Sequence, residues 1–215
     1  MALNDSHHHD VVRRLLDEAG TTYAAEAGIT LKDTPMPLFE LLALCMLASK
    51  PIDAGIAVAA ARELFHAGLR TPAAVRDADR RTMIDAFGRA GYARYDESSA
   101  TRLVEMAQTV HDEYRDDLRK LADAADRDPA TAATLLQRFK GIGAVGSDIF
   151  LREVQDTWTW VRPHYDQRAR DAADRLGLPT DPQELSTLAS GRDAEFAAAL
   201  VRASLDDDLL AAVTG

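Results

Sequence analysis

Cysteine is almost absent from this sequence, and Cys45 is the single example in 215 residues. One cysteine can form no disulfide within the chain and cannot complete a four-cysteine zinc or iron–sulfur site. Cys45 lies in the apolar run LLALCMLAS, which indicates a small buried side chain rather than a nucleophile. Chemistry that depends on clustered thiolates is therefore excluded.

Long apolar runs and a hydrophobic leader are also lacking. No stretch reaches the roughly 20 apolar residues that a membrane-spanning helix needs. The N-terminus MALNDSHHHD is too polar for a secretory signal. The adjacent His7, His8 and His9 do not predict a metal site, because neighbouring residues of a helix do not share a face. We therefore expect a cytoplasmic protein that meets no membrane and holds no metal or cofactor.

Positive charge is in short supply as well: 25 basic residues face 35 acidic ones, for a net charge of -10. Such a chain repels nucleic acid at long range, and a basic surface is the usual first sign of DNA binding. The charge is uneven, however. Residues 130–180 carry seven basic and six acidic side chains, so the excess negative charge lies elsewhere. A locally neutral binding face on an acidic body is compatible with this distribution.

Helical spacing of apolar residues runs through the sequence, and strand alternation never persists. The spacing predicts helices over residues 8–28 and along Tyr95–Ala125. Leu38–Ser49 is apolar on nearly every side, which predicts a buried helix that ends before Pro51. Aspartates and prolines mark further helix starts, among them Pro37, Asp53, Thr71-Pro72, Asp79, Pro129 and Pro182. We expect an all-α fold of about ten helices.

A run of glycines separates two of these helical segments. Gly141, Gly143 and Gly146 fall within FKGIGAVG, residues 139–146. Each glycine weakens a helix by about 1 kcal/mol, so the run indicates a need for backbone freedom. A helix that starts after Gly143 leaves backbone N–H groups without partners, and such a terminus attracts anions such as phosphate. An ordinary helix hairpin, the alternative, would need one glycine.

The segment Leu136–Leu151 resembles the helix-hairpin-helix of the endonuclease III and 3-methyladenine glycosylase superfamily of base-excision DNA repair. His164–Ala169, followed by Arg175–Leu178, is similar to the segment that carries the catalytic aspartate of that family. Other matches follow in the same order: Pro37–Leu42 and Leu47–Lys50 with its first core helix and turn, then Thr71–Ala74 and Gly91-Tyr92. The ordered resemblance covers residues 35–180.

This resemblance implies an all-α fold of two helical lobes with a cleft between them. Residues 31–154 would form one lobe ending in the hairpin, and residues 1–30 with 155–215 the other. It also implies a monomeric DNA glycosylase acting on duplex DNA that carries a damaged or modified base. The enzyme would flip that base from the duplex and hydrolyse its N-glycosidic bond, with Asp166 as the catalytic carboxylate.

The same resemblance assigns the remaining site residues. The hairpin would hold a DNA phosphate through Lys140, Gly141, Gly143, Val145 and Gly146. Lys50 would fill the gap left by the flipped base or contact the DNA. Aromatic faces stack on bases, and the candidates for the base pocket are Tyr92, Trp158, Trp160, His164 and Tyr165.

Two departures from the family restrict the expected chemistry. Members that also cut the DNA backbone carry a lysine where this chain has Val145, so we expect no strand cleavage. The family's four C-terminal cysteines for an iron–sulfur cluster are absent.

Each assignment has a plainer alternative. Asp166 can be a helix cap, Lys50 a solvated loop residue, and the aromatic residues part of the core. Asp148, early in the second hairpin helix, would repel a phosphate. The alternative function is a catalytically inactive relative that binds DNA or a protein partner.

Overall fold

The computed structural model describes residues 2–214, with side chains for residues 6–213, and this part of the chain is all-α, with no strand. The helices, in chain order, are α1 (Ala2–Ala19), α2 (Tyr23–Glu26), α3 (Pro35–Ala48), α4 (Ala54–His66), α5 (Pro72–Asp77), α6 (Arg80–Arg89), α7 (Asp96–Tyr114), α8 (Arg119–Ala124), α9 (Pro129–Leu136), α10 (Ala144–Val154), α11 (Gln167–Arg175), α12 (Pro182–Ala189), α13 (Asp193–Leu205) and α14 (Asp207–Thr214), with a 3-10 helix at Thr159–Val161. The predicted fold class is confirmed.

The chain divides into two compact units. Unit A comprises Ala24–Phe150, and unit B comprises the described parts of Met1–Tyr23 and Leu151–Gly215. The units divide after Tyr23 and after Phe150, whereas the expected lobes divide after residues 30 and 154.

Short polar side chains begin many of these helices, because their oxygens accept the N–H groups that a helix start leaves unpaired. Asp53 Oδ1 accepts from Gly55 N at 2.8 Å at the start of α4. Caps of this kind also come from Thr71, Asp79, Asp128, Asp166 and Asp181. The predicted starts at Asp53, Thr71-Pro72, Asp79, Pro129 and Pro182 are confirmed, whereas α3 begins at Pro35 rather than Pro37.

Two predicted helices are wrong in extent. The segment 8–28 is broken after Ala19, and the chain resumes as the short α2. The segment Tyr95–Ala125 is broken at Arg115 and Asp116, whose φ angles of 52° and 60° lie in the left-handed region. Leu118 and Leu121, beyond the break, are nonetheless buried. The apolar spacing therefore indicates which residues face the core. It does not indicate where the helix ends, because the same spacing continues beyond the turn.

Unit A is built around α3, whose residues Pro37–Leu47 are all buried. This helix packs against α4 and α7, while α5 and α6 also pack against α7. Glu40 is the one charged residue in that buried stretch; its side chain is 1% exposed and its Oε1 accepts from Arg70 Nε. Burial raises the pKa of Glu40 above its ordinary value, and the Arg70 guanidinium opposes the shift without cancelling it.

Unit B is built around α13, which packs against α1, α11, α12 and α14. Its buried face is rich in alanine, including Ala194, Ala197, Ala198 and Ala199. Small side chains let neighbouring helices approach closely, so α13 can be surrounded on most sides. Asp206 Oδ1 accepts from Asp208 N and Leu209 N, both at 3.0 Å, so the acidic tail begins with the helix cap of α14.

Candidate functional site

The glycine hairpin connects α9 to α10 within unit A, and two apolar residues anchor it. Phe139 and Ile142 are buried, and Ile142 N donates to Phe139 O at 3.0 Å. Gly141, between them, has a φ of +95°, in the left-handed region that only glycine adopts readily. A Cβ there would lie 3.1 Å from side-chain carbons of Arg102 and Met46. The turn therefore requires glycine at 141 for both conformation and space.

The tip of the hairpin is exposed. Gly143 and Ala144 face solvent, and Val145 is 64% exposed. A Cβ at Gly143 would meet nothing within 4 Å, and its φ is not positive, so the fold itself does not require glycine there. The first N–H groups of α10 have no acceptor inside the helix. The tip thus offers backbone donors beside an uncovered glycine, the arrangement that a phosphate needs.

Gly146 brings the start of α10 against the end of α3. A Cβ at Gly146 would overlap Ser49 Oγ, which donates to Cys45 O at 2.6 Å. Lys50 follows Ser49 directly, so the structure places the turn carrying Lys50 beside the hairpin. Of the predicted hairpin residues, Gly141 and Gly146 meet packing demands of the fold, while Gly143 and Val145 form the exposed surface.

Charges at the hairpin are mixed. Lys140 Nζ pairs with Glu105 Oε1 at 2.8 Å, and the Lys140 side chain is largely exposed. Exposed ion pairs of this kind contribute at most about 1 kcal/mol, so Lys140 can exchange Glu105 for another anion. Asp148 lies within the first turns of α10. The hairpin therefore attracts an anion through backbone N–H groups more than through net charge.

Asp166, in unit B, uses both carboxylate oxygens. Oδ1 accepts from Ala169 N at 2.9 Å and caps α11. Oδ2 accepts from Arg152 Nη1 at 2.5 Å. The side chains of Asp166 and Arg152 are 10% and 4% exposed. Asp166 is therefore both a helix cap and one half of a buried ion pair.

Arg152 is enclosed by groups that keep it charged. Its Nε lies 3.9 Å from Glu153 Oε1, and its Cζ lies 5.7 Å from the centre of the Tyr23 ring. Burial disfavours the charged guanidinium, but the carboxylates of Asp166 and Glu153 outweigh it, and the pKa of Arg152 lies above its ordinary value. A permanent positive charge therefore stands beside the predicted catalytic carboxylate. Arg152 was not among the residues predicted from the sequence; the available signal was a basic residue next to the apolar Leu151 in a segment with helical spacing.

The five base-pocket candidates are divided between the two units. Tyr92 belongs to unit A and is fully buried, with its hydroxyl donating to Leu47 O at 3.2 Å. Burial raises its pKa. In unit B, Trp158 is buried and stacks on Trp160, with ring centres 5.2 Å apart. Three of the candidates, Tyr92, Trp158 and Tyr165, are core side chains in this structure.

The loop that leads to Asp166 is held by a buried polar network. Gln155 clamps the backbone of His164, accepting from its N at 2.8 Å and donating to its O at 3.0 Å. Tyr165 donates its hydroxyl to Asp193 Oδ1 at 3.1 Å, and burial followed by the Asp193 charge raises the pKa of Tyr165. Arg162 Nε lies 3.1 Å from Asp193 Oδ2. His164 and Tyr165 therefore help to fix the position of Asp166.

Comparison of the chain with protein-family models, curated proteins and solved structures finds no match. The resemblance to the glycosylase superfamily therefore rests on the residues quoted above. Among the described side chains, no group of three or more His, Cys, Asp or Glu could hold a metal ion. None of the helices within residues 2–214 combines the length and apolar character of a membrane span.

Proposed function

We propose that this chain is a helix-hairpin-helix protein that binds duplex DNA through a backbone phosphate and does not excise bases with Asp166. The observation that carries the proposal is the state of Asp166, whose carboxylate is bound on one side by Arg152 and on the other by the N-terminus of α11. What remains for function is the exposed hairpin tip at Gly143–Val145.

The electrostatics of the pair oppose glycosidic bond hydrolysis. Base departure leaves a cationic sugar, which a catalytic carboxylate must stabilise with a negative charge that is free to act. The Arg152 guanidinium neutralises that charge at 2.5 Å, and its raised pKa keeps it charged. Both carboxylate oxygens are also engaged, Oδ2 by Arg152 and Oδ1 by the start of α11. Asp166 thus has a structural task that conflicts with catalysis.

The exposed backbone N–H groups of the hairpin, unlike the carboxylate of Asp166, are available to bind DNA. Helix termini and loop N–H groups bind phosphate oxygens and position a protein on the duplex without reading its sequence. The binding would not discriminate strongly between sequences, because the exposed groups are backbone donors rather than side chains suited to base edges. The acidic body would make such binding weak at long range and dependent on contact at the hairpin.

A matched pair of glycine substitutions tests this proposal. Gly143→Ala places a methyl group at the exposed tip, and Gly88→Ala places one on the exposed face of α6; a Cβ at either position meets nothing within 4 Å. Fluorescence anisotropy with an undamaged duplex should show weaker binding by Gly143→Ala and unchanged binding by Gly88→Ala. Thermal unfolding should show that both variants remain folded at the temperature of the binding assay. Equal affinity of the two variants would contradict hairpin binding.

A second candidate function is the monofunctional glycosylase that the resemblance implies. Asp166 is held in a fixed orientation by its cap to Ala169 N and by the Gln155 clamp on the preceding residues, as a catalytic group must be. This candidate requires the Arg152 pair to open when DNA binds. Base release from a lesion-bearing duplex, abolished by an Asp166→Asn variant that circular dichroism shows to be folded, would establish it.

A further inference from the structure

Two cations of unit A share one aromatic ring beside the hairpin. Lys50 Nζ lies 5.9 Å from the centre of the Tyr95 ring, and Arg94 Cζ lies 5.4 Å from it. A cation within about 6 Å of a ring centre is attracted to the face of the ring. Lys50 is half-buried and Arg94 is exposed. We refer to Lys50, Arg94 and Tyr95 as the Tyr95 cluster.

The cluster brings two positive charges to one ring, although the chain as a whole has an excess of carboxylates. Within the described side chains, neither Lys50 nor Arg94 forms an ion pair with a carboxylate, whereas Arg80, Arg89 and Lys140 of the same unit each do. The three nearest carboxylates along the chain have other partners. Asp53 Oδ1 accepts from Gly55 N at 2.8 Å. Asp96 accepts from Glu97 N at 2.6 Å, and Glu97 pairs with Arg80 at 2.5 Å. Both cations therefore lie near one ring, and no carboxylate among the described side chains forms an ion pair with either of them.

The cluster and the hairpin belong to one surface region of unit A. The turn that carries Lys50 packs at Ser49 against Gly146, as described above. Tyr95 precedes the first residue of α7, and Arg102 of the same helix lies at Gly141. Seven residues of helix separate Tyr95 from Arg102 along the axis by about 10 Å. Each strand of B-DNA carries one phosphate per 3.4 Å of axis, so such a span covers about three phosphates of one strand.

We propose that the Tyr95 cluster is a second phosphate-binding site, which contacts the backbone of the same duplex that the hairpin holds. The ligand is a phosphodiester: Lys50 and Arg94 each neutralise one phosphate, and the Tyr95 ring holds both side chains in place. This inference rests on the proposed DNA binding. It assigns a role in phosphate binding to Arg94 and Tyr95, which have no role in the hairpin site. It also predicts that Lys50 binds a phosphate and does not fill the gap left by a flipped base.

Charge-removing substitutions test the cluster by salt dependence. Lys50→Gln and Arg94→Gln are compared with Lys32→Gln and Arg127→Gln, which remove the same charges from exposed positions of unit A. Arg127 precedes α9, whose eight residues carry the chain about 12 Å before the hairpin begins. Duplex affinity is measured by anisotropy over a range of salt concentrations. Each cluster substitution should weaken binding for all sequences and lower the salt slope by about 1; the controls should leave the slope unchanged.

Substitutions of the ring provide a second readout. Tyr95→Phe keeps the aromatic face and should bind the duplex like the wild type, whereas Tyr95→Leu removes that face and should weaken binding. Circular dichroism and thermal unfolding show whether each variant is folded. Equal affinity of Tyr95→Leu and Tyr95→Phe, both folded, would overturn the role of the ring and with it the cluster.

The outcomes separate this inference from the proposed function. If Gly143→Ala loses duplex binding while Lys50→Gln and Arg94→Gln behave like their controls, the hairpin stands and the cluster is overturned. If the wild type does not bind the duplex, both proposals fail. Inorganic pyrophosphate is titrated in parallel. Weaker pyrophosphate binding by the cluster variants, with duplex binding unchanged, would show a site for free phosphate and would also overturn the inference.

Discussion

Because Arg152 and Asp166 form a buried ion pair, we expect Asp166→Asn, which removes only the aspartate charge, to lower the free energy of unfolding strongly. Asn at position 166 still caps α11, because asparagine is as good a cap as aspartate. It leaves the Arg152 guanidinium, 4% exposed, without its hydrogen-bonded carboxylate. Removing one partner of a buried pair costs about 3–5 kcal/mol. Because Glu153 remains 3.9 Å from Arg152, we expect a loss near the lower end, about 3 kcal/mol.

Two further variants separate the contribution of the helix cap to stability from that of the ion pair. Asp166→Ala removes the cap as well as the charge and should cost about 1 kcal/mol more than Asp166→Asn. Combining Arg152→Met with Asp166→Asn removes both charges together. Because Arg152 also lies 3.9 Å from the buried Glu153, Glu153→Gln is added to this combination. With all three charges removed together, the triple variant should be more stable than Asp166→Asn alone.

Urea denaturation measures these differences in the relevant part of the chain. Trp158 and Trp160 are the two tryptophans of the sequence, and both lie in unit B with the pair, so their fluorescence reports the unit that is perturbed. Asp181→Asn is the matched control, since Asp181 caps α12 in the same unit through Gln183 N and Glu184 N and is exposed. If Asp166→Asn is no less stable than Asp181→Asn, the pair does not stabilise the fold, and the Asp166 carboxylate has no structural task that conflicts with catalysis.

Two other predictions concern unit A. Gly146→Ala should destabilise the chain because the new Cβ overlaps Ser49 Oγ, and Ser49→Ala in the same chain should restore part of the loss in urea denaturation; no recovery would show that Ser49 is not the obstacle. Burial raises the pKa of Glu40 above 4.5, so the carboxyl contributes its full stability below pH 4.5 and loses it as the pH rises through the raised pKa. The unfolding free energy of the wild type relative to Glu40→Gln should therefore fall as the pH rises above 4.5, and a difference that is constant with pH would contradict the assignment.

The all-α class and many helix starts could be predicted from the sequence, because caps and prolines act within a few residues of the helix they begin. The caps at Asp53 and Asp79 are examples. The breaks after Ala19 and Tyr114 could not be predicted in the same way. Apolar spacing reports which residues face a core, and the buried Leu118 and Leu121 continue that spacing beyond the left-handed Arg115 and Asp116.

The part of the candidate site that depends on local sequence could also be predicted. The hairpin glycines act locally, and the positive φ of Gly141 is what a tight turn between helices demands. The partner of Asp166 is not local, since Arg152 lies on another helix and meets the carboxylate only in the folded unit. The Tyr95 cluster likewise joins residues that are far apart in the chain. Tyr92 was a candidate for stacking on a base because aromatic type does not reveal burial; it lies against Phe87 in the core.

A base-release assay is the most direct test of the claim that Asp166 serves the fold rather than catalysis. Wild-type protein and Asp166→Asn are each incubated with duplexes bearing alkylated, deaminated or oxidised bases, and abasic sites are detected by alkaline cleavage of the DNA strand. The account predicts that neither protein releases a base above the level without protein, while the wild type binds the same duplexes. Release by the wild type that is abolished in an Asp166→Asn variant shown by circular dichroism to be folded would contradict it and establish a monofunctional glycosylase.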